Sequence, residues 1–149
     1  MTGLLGADHE RLDAILADAK RLLVAGEPAA ARQRFEVFRQ QLERHIEAEE
    51  QVLFPAFEDL AGSTAGGPTS VMRAEHSELR KLMADVAGAL EDGAPDGLTT
   101  PLAALTARIY AHNGKEERIL YPMTDRLAGE AGTLAELVQR LREHCADIP

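Results

Sequence analysis

The chain has 149 residues, about the length of one domain, and a chain of this size folds without disulfide staples. Its 45% hydrophobic and 28% charged residues exclude a disordered polymer, and its apolar runs are too short to span a bilayer. A net charge of −9 with no basic patch, a single cysteine (Cys145) and a start without a basic-then-apolar leader point to a cytoplasmic protein with no nucleic-acid or membrane partner, and rule out an internal disulfide.

The first element is an amphipathic helix over about 4–24, where Leu5, Leu12, Ile15, Leu16, Ala19, Leu22 and Leu23 recur at three- and four-residue steps. Gly26-Glu27-Pro28 ends it and opens a second helix over about 29–60, with Phe35, Phe38, Leu42, Ile46, Leu53 and Phe57 on one face. Pro55 removes one backbone hydrogen bond there, so a kink is expected. The stretch from Gly62 to Pro68 reads as a connection, followed by a third helix over about 70–90. Asp92-Gly93-Ala94-Pro95-Asp96-Gly97 breaks that helix, and a fourth runs over about 100–127 with Pro101 in its first turn and Pro122 inside it. A short closing helix over about 133–145 starts at Thr133, with Glu136 placed to complete a capping box. The pattern predicts an all-α protein: an antiparallel up-down-up-down four-helix bundle plus a C-terminal helix.

The chain contains an internal repeat. HIEAEEQVLFP from His45 and HNGKEERILYP from His112 both read H-x3-E-E-x-[VI]-L-[FY]-P, at an offset of 67 residues. The same offset relates Asp8-His9 to Glu75-His76, Leu12 to Leu79, and Phe54-Pro55 to Tyr121-Pro122. A single domain of two helical hairpins, about 4–60 and 70–127, follows from this pattern.

Residues i and i+4 share a helix face. His45 therefore projects with Glu49, and His112 with Glu116, on the stripe that carries Leu42, Leu53, Ile109 and Leu120. His9 and His76 lie on the matching apolar faces of the first and third helices. Four of the five histidines and two glutamates are thus aimed into a leucine-rich interior at one height. Leaving those carboxylates unpaired is costly. Without metal, facing carboxyls are expected to drift toward their protonated form. Imidazole and carboxylate together suit iron, manganese or zinc.

The Glu-x-x-His order of ferritin-like di-iron bundles is absent, and so is a metalloprotease HExxH. The arrangement His9 … His45-x3-Glu49 … His76 … His112-x3-Glu116 closely resembles the haemerythrin-like (HHE cation-binding) family over about residues 4–127. The resemblance implies two iron ions in an oxo- or hydroxo-bridged centre, ahead of manganese or zinc. His9, His45, His76 and His112 would be terminal ligands, and Glu49 and Glu116 would bridge. Oxygen-carrying members resemble this pattern but add a fifth histidine near the one on the third helix and end in His-x4-Asp. Here Met72 and Arg80 flank His76, and the last carboxylate is Glu116 at x3. Both irons would then keep open positions for a small diatomic or peroxide ligand. That favours members tied to iron, oxidative or nitrosative stress over a reversible carrier. A non-catalytic iron or oxygen sensor or storage module is the alternative, and peroxide- or oxygen-reducing turnover stays open.

The remaining candidates are read structurally. His144 has no partner in the repeat and suits a helix C-terminus, and Cys145 has no second thiol to resolve it. Tyr110 and Tyr121 read as core aromatics with hydrogen-bonded hydroxyls. Glu50 and Glu117 point about 100° away from their neighbours on an ideal helix, toward a solvated face or salt bridge. Asp8 and Glu75 are placed to orient an imidazole on a neighbouring helix.

Overall fold

A computed structural model describes residues 1–62, 67–91 and 95–145. Its elements are α1 (Thr2–Val24), α2 (Pro28–Ala48), a π-helical turn π1 (Glu49–Leu53), α3 (Phe54–Ala61), α4 (Pro68–Glu91), α5 (Pro95–Lys115), a second π-helical turn π2 (Glu116–Leu120), α6 (Tyr121–Glu130) and α7 (Leu134–Cys145). No strand occurs among the described residues.

α1 packs along α2 and α4 along α5, the two hairpins meet through α2 and α4, and α7 lies across α2, π1 and α6. Gly26, at φ +77°, makes the turn between α1 and α2 in the left-handed region where a side chain is strained. The first hairpin thus turns where the sequence places it.

At Pro55, where a kink is expected, and likewise before Pro122, the long helix is divided by a π turn, and the cause is local. Pro55 and Pro122 offer no N–H, and their rings crowd the carbonyl four residues back. Widening the preceding turn relieves both problems: the Phe54 amide reaches Glu49 O, and the Tyr121 amide reaches Glu116 O, five residues apart in each case. Such turns concentrate at functional sites because they re-aim side chains.

Several boundaries differ from the sequence reading: α1 begins at Thr2 rather than near Leu4, and α6 runs on to Glu130 rather than ending near Leu127. α4 begins at Pro68, two residues early, and α5 begins at Pro95 rather than near Thr100. Pro95, with its preset φ, takes the helix-opening position, so Pro101 sits inside α5 instead of in its first turn. The parts of the expected connections at 63–66 and 92–94 lie outside the described residues, as do the side chains of 95–97 and of Cys145. α7 starts directly after Thr133, whose carbonyl accepts the Leu137 amide at 3.0 Å.

The buried apolar side chains form two clusters. One holds Leu12, Leu16, Phe35, Phe38, Leu79, Val86 and Leu105 toward the hairpin turns. The other holds Leu5, Leu53, Phe54, Phe57, Met72, Leu120, Tyr121 and Leu141. Along α1 the change from one cluster to the other falls between Leu5 and Leu12, and along α4 between Met72 and Leu79. His9 and His76 occupy those intervals. A polar layer therefore separates two apolar halves of the bundle.

Candidate metal centre

The polar layer contains His9, His45, Glu49, His76, His112 and Glu116, all buried. The six residues singled out by the repeat meet in one place, although they come from α1, α2, π1, α4, α5 and π2. His9 and His45 bring their Nε2 atoms to 3.0 Å, and His76 and His112 bring theirs to 3.1 Å. Each pair comes from one hairpin.

The glutamates lie between the pairs. Glu49 Oε2 is 3.2 Å from His76 Nε2 and 3.6 Å from His45 Nε2. Glu116 Oε1 is 3.1 Å from His112 Nε2, and Glu116 Oε2 is 3.3 Å from His9 Nε2. Each carboxylate thus touches an imidazole of both hairpins. Yet Glu49 Oε2 and Glu116 Oε1 make no hydrogen bond, despite being fully buried. Carboxylate oxygens in such a place ordinarily have a partner. Their lone pairs are aimed at the space the imidazole nitrogens also face, which is the arrangement a cation satisfies. Two donor groups, Glu49–His76–His112–Glu116 and His9–His45–Glu116, are each close enough to hold one ion. The donor set of nitrogen and carboxylate oxygen, with no sulfur, fits iron.

Outside this layer every imidazole has its own carboxylate. His45 Nδ1 donates to Asp8 Oδ2 at 2.8 Å, and His112 Nδ1 donates to Glu75 Oε2 at 3.0 Å. These contacts stay within a hairpin and match the expectation for Asp8 and Glu75. His76 Nδ1 donates to Glu50 Oε1 at 2.9 Å, and His9 Nδ1 donates to Glu117 Oε1 at 2.8 Å. Those contacts cross between hairpins. They add to the view of Glu50 and Glu117 as residues of a solvated face or salt bridge: both reach an imidazole, although the Glu117 side chain stays 43% exposed. Glu50 also makes the salt bridge considered for it, with Arg80 at 3.1 Å. Fixing Nδ1–H on all four rings leaves each neutral Nε2 with its lone pair toward the centre.

The charge state of the metal-free layer follows from these contacts. Burial works against a charged His9, but the Glu116, Glu117 and Glu49 carboxylates outweigh it and raise its pKa to about 9. His76, opposed by burial and favoured by Glu116 and Glu49, is raised to about 10. Burial alone would raise Glu116, yet contacts with His112, His76 and His9 hold it well below the ordinary carboxylate range. The expected drift of the carboxyls toward protonation is therefore wrong for Glu116. The protons are instead favoured on His9, His76 and His112, whose imidazoles contact the carboxylates.

Tyr121 combines two readings. It is a core aromatic with 0% exposure, and its hydroxyl enters the layer, donating to Glu49 Oε1 at 2.7 Å with Glu116 Oε2 at 3.1 Å. Burial and the two carboxylates push this phenol well above its usual pKa. The hydroxyl contact could be anticipated only from the place of Tyr121 in the repeat, five residues after Glu116. Tyr110, by contrast, is 81% exposed and so is not a core aromatic. His144 lies in the last turn of α7 beside Glu143 and Arg44, away from the layer.

A family model, the hemerythrin HHE cation binding domain, matches residues 1–124. The chain belongs to this family. It is similar to the iron-sulfur cluster repair protein YtfE of Edwardsiella ictaluri, at 34% identity over 106 residues, covering 65% of this chain and 48% of that one. The YtfE proteins of Cronobacter sakazakii (32% over 94 residues, 63% and 40% of the two chains) and Escherichia coli O81 (34% over 99 residues, 61% and 44%) are also similar. The chain spans under half the length of these curated relatives. No solved structure matches it. Among the described residues, no helix is long and apolar enough to cross a membrane.

Proposed function

We propose that this protein holds a non-haem di-iron centre and uses it on a small oxidant (oxygen, peroxide or nitric oxide) in the response to stress on iron centres. His9 and His45 hold one iron, His76 and His112 the other, and Glu49 and Glu116 bridge. The observation that carries this reading is the pair of buried, unbonded carboxylate oxygens, Glu49 Oε2 and Glu116 Oε1, facing four imidazole Nε2 atoms. Relatives named for iron-sulfur cluster repair support the physiological setting.

When bound, a pair of irons supplies electrons and a Lewis-acidic seat for a small ligand. The chain's own residues do the rest. Asp8, Glu50, Glu75 and Glu117 hold the imidazoles in one tautomer and orientation. The apolar clusters on either side exclude bulk water and strengthen the electrostatics of the layer. Position 80 is an arginine engaged with Glu43 and Glu50 and position 72 a methionine in the core, so neither flank of His76 adds a donor. The fifth histidine that the resemblance gives to oxygen-carrying members is therefore absent, which favours the stress-related reading over a carrier.

The test is the optical spectrum and redox behaviour of protein purified from iron-supplemented cells. Reduced protein mixed with oxygen should oxidise and regain near-ultraviolet charge-transfer absorption. An adduct that releases oxygen when the gas is withdrawn would overturn the reading in favour of a carrier.

A further inference from the structure

The two halves of the site are related by the 67-residue repeat, so any difference between them is read against an internal control. The residue that follows each π turn provides one. On one side Phe54 stacks on His76, with ring centroids 5.4 Å apart and planes at 15°. On the other Tyr121 stacks on His9, at 5.8 Å and 28°. The rings occupy equivalent places, but only Tyr121 carries an oxygen into the layer.

That oxygen sits among the donor atoms. It lies 2.7 Å from Glu49 Oε1, 3.1 Å from Glu116 Oε2 and 3.3 Å from His9 Nε2. A group entering the His9–His45 half from this direction would have to displace it. It would also break a charge-assisted hydrogen bond inside a buried site. Phe54 has no hydroxyl to place there, and its ring offers only an apolar edge to whatever enters. Both aromatic side chains are fully buried, so neither moves aside without disturbing the second apolar cluster.

We propose that the Tyr121 hydroxyl closes the His9–His45 half of the site to external ligands and leaves the His76–His112 half, beside Phe54, to receive them. The inference rests on the di-iron reading above and assigns the ligand-accessible position within it. It replaces the expectation of two equally open irons with a site made one-sided by one phenol.

The test uses iron-loaded, oxidised protein and azide as the probe, titrated by its charge-transfer absorption while iron per chain is measured on the same samples. Wild type should bind one azide per chain, Tyr121→Phe two, and Phe54→Tyr none. The double exchange Phe54→Tyr with Tyr121→Phe should restore one and serves as the folding control, since it keeps both rings and one hydroxyl. Two azides in wild type, or one in Tyr121→Phe at unchanged affinity, would overturn the proposal. So would loss of iron from Tyr121→Phe alone, because the phenol would then be holding metal rather than excluding ligand. Fewer than two irons in wild type would instead refute the underlying di-iron reading.

Discussion

Glu50 on one hairpin accepts the Nδ1 proton of His76 on the other at 2.9 Å, and the same carboxylate is held from outside by Arg80. This links the π turn to the site, since Glu49 and Glu50 both lie in it and both contact His76. Removing it should free the His76 ring. Glu50→Ala should weaken metal binding by about 10–100-fold, the usual cost of losing such a partner. Glu117→Ala should do the same through His9. Competition with a chromophoric chelator measures both, with Glu36→Ala, a half-buried glutamate paired with Arg39 outside the layer, as the unaffected control.

The metal-free protein should lose stability in base. His9 and His76 have folded-state pKa values of about 9 and about 10, above the 6.5 of an ordinary imidazole. A raised value means the folded state binds protons more tightly, so this stabilisation is fully present below pH 6.5 and is lost as pH rises through about 9–10. Glu116 acts oppositely: its depressed value contributes stability above the ordinary carboxylate range that is lost in acid. Melting temperatures of the chelator-stripped protein across pH 6–11 should therefore fall at the alkaline end, whereas the loaded protein, whose imidazoles carry no Nε2 proton, should not show that fall.

Loading at neutral pH should release protons, since a metal can bind only the deprotonated Nε2 of His9 and His76. Calorimetric titration in buffers of different ionisation enthalpy reads the count. Proton release near zero at pH 7 would contradict the protonation described for the metal-free layer.

Stripping the metal should lower the melting temperature but leave the chain largely helical. The two apolar clusters lie on either side of the layer and do not depend on it. Circular dichroism before and after chelation measures this; an unchanged melting temperature after verified removal would mean the six residues are not a coupled core site.

The turn-side cluster should contribute stability without contributing to metal count. Phe38, fully buried among Leu42, Leu79 and Leu105, is the place to test it. Phe38→Ala should cost about 3–5 kcal/mol in denaturant unfolding, with iron per chain unchanged.

Much of this architecture is visible in the residues themselves. The spacing of His45 from Glu49 and of His112 from Glu116, repeated at 67 residues, requires both pairs on core-facing stripes, and the structure brings all six residues together. What the spacing hides is the effect of Pro55 and Pro122 on the preceding turn. An ideal helix sets Glu50 and Glu117 about 100° from their neighbours, and their contacts with His76 and His9 cross between hairpins, whose packing the periodicity does not encode. The glutamate pair repeated in both motifs was the signal available. Tyr110 fails for a different reason. Its place beside Ile109 looks interior, but the side chain is exposed, and burial there depends on packing that the α5 periodicity does not encode.

The central claim is that one chain holds two irons between two equivalent sets of ligands. Iron analysis of fully loaded protein, combined with Mössbauer spectra of the same sample, tests it most directly. The account predicts two irons per chain as a coupled ferric pair, both lost on Glu49→Ala or Glu116→Ala and retained on His144→Ala. One tightly bound iron per chain, or an uncoupled paramagnetic ferric signal, would contradict it.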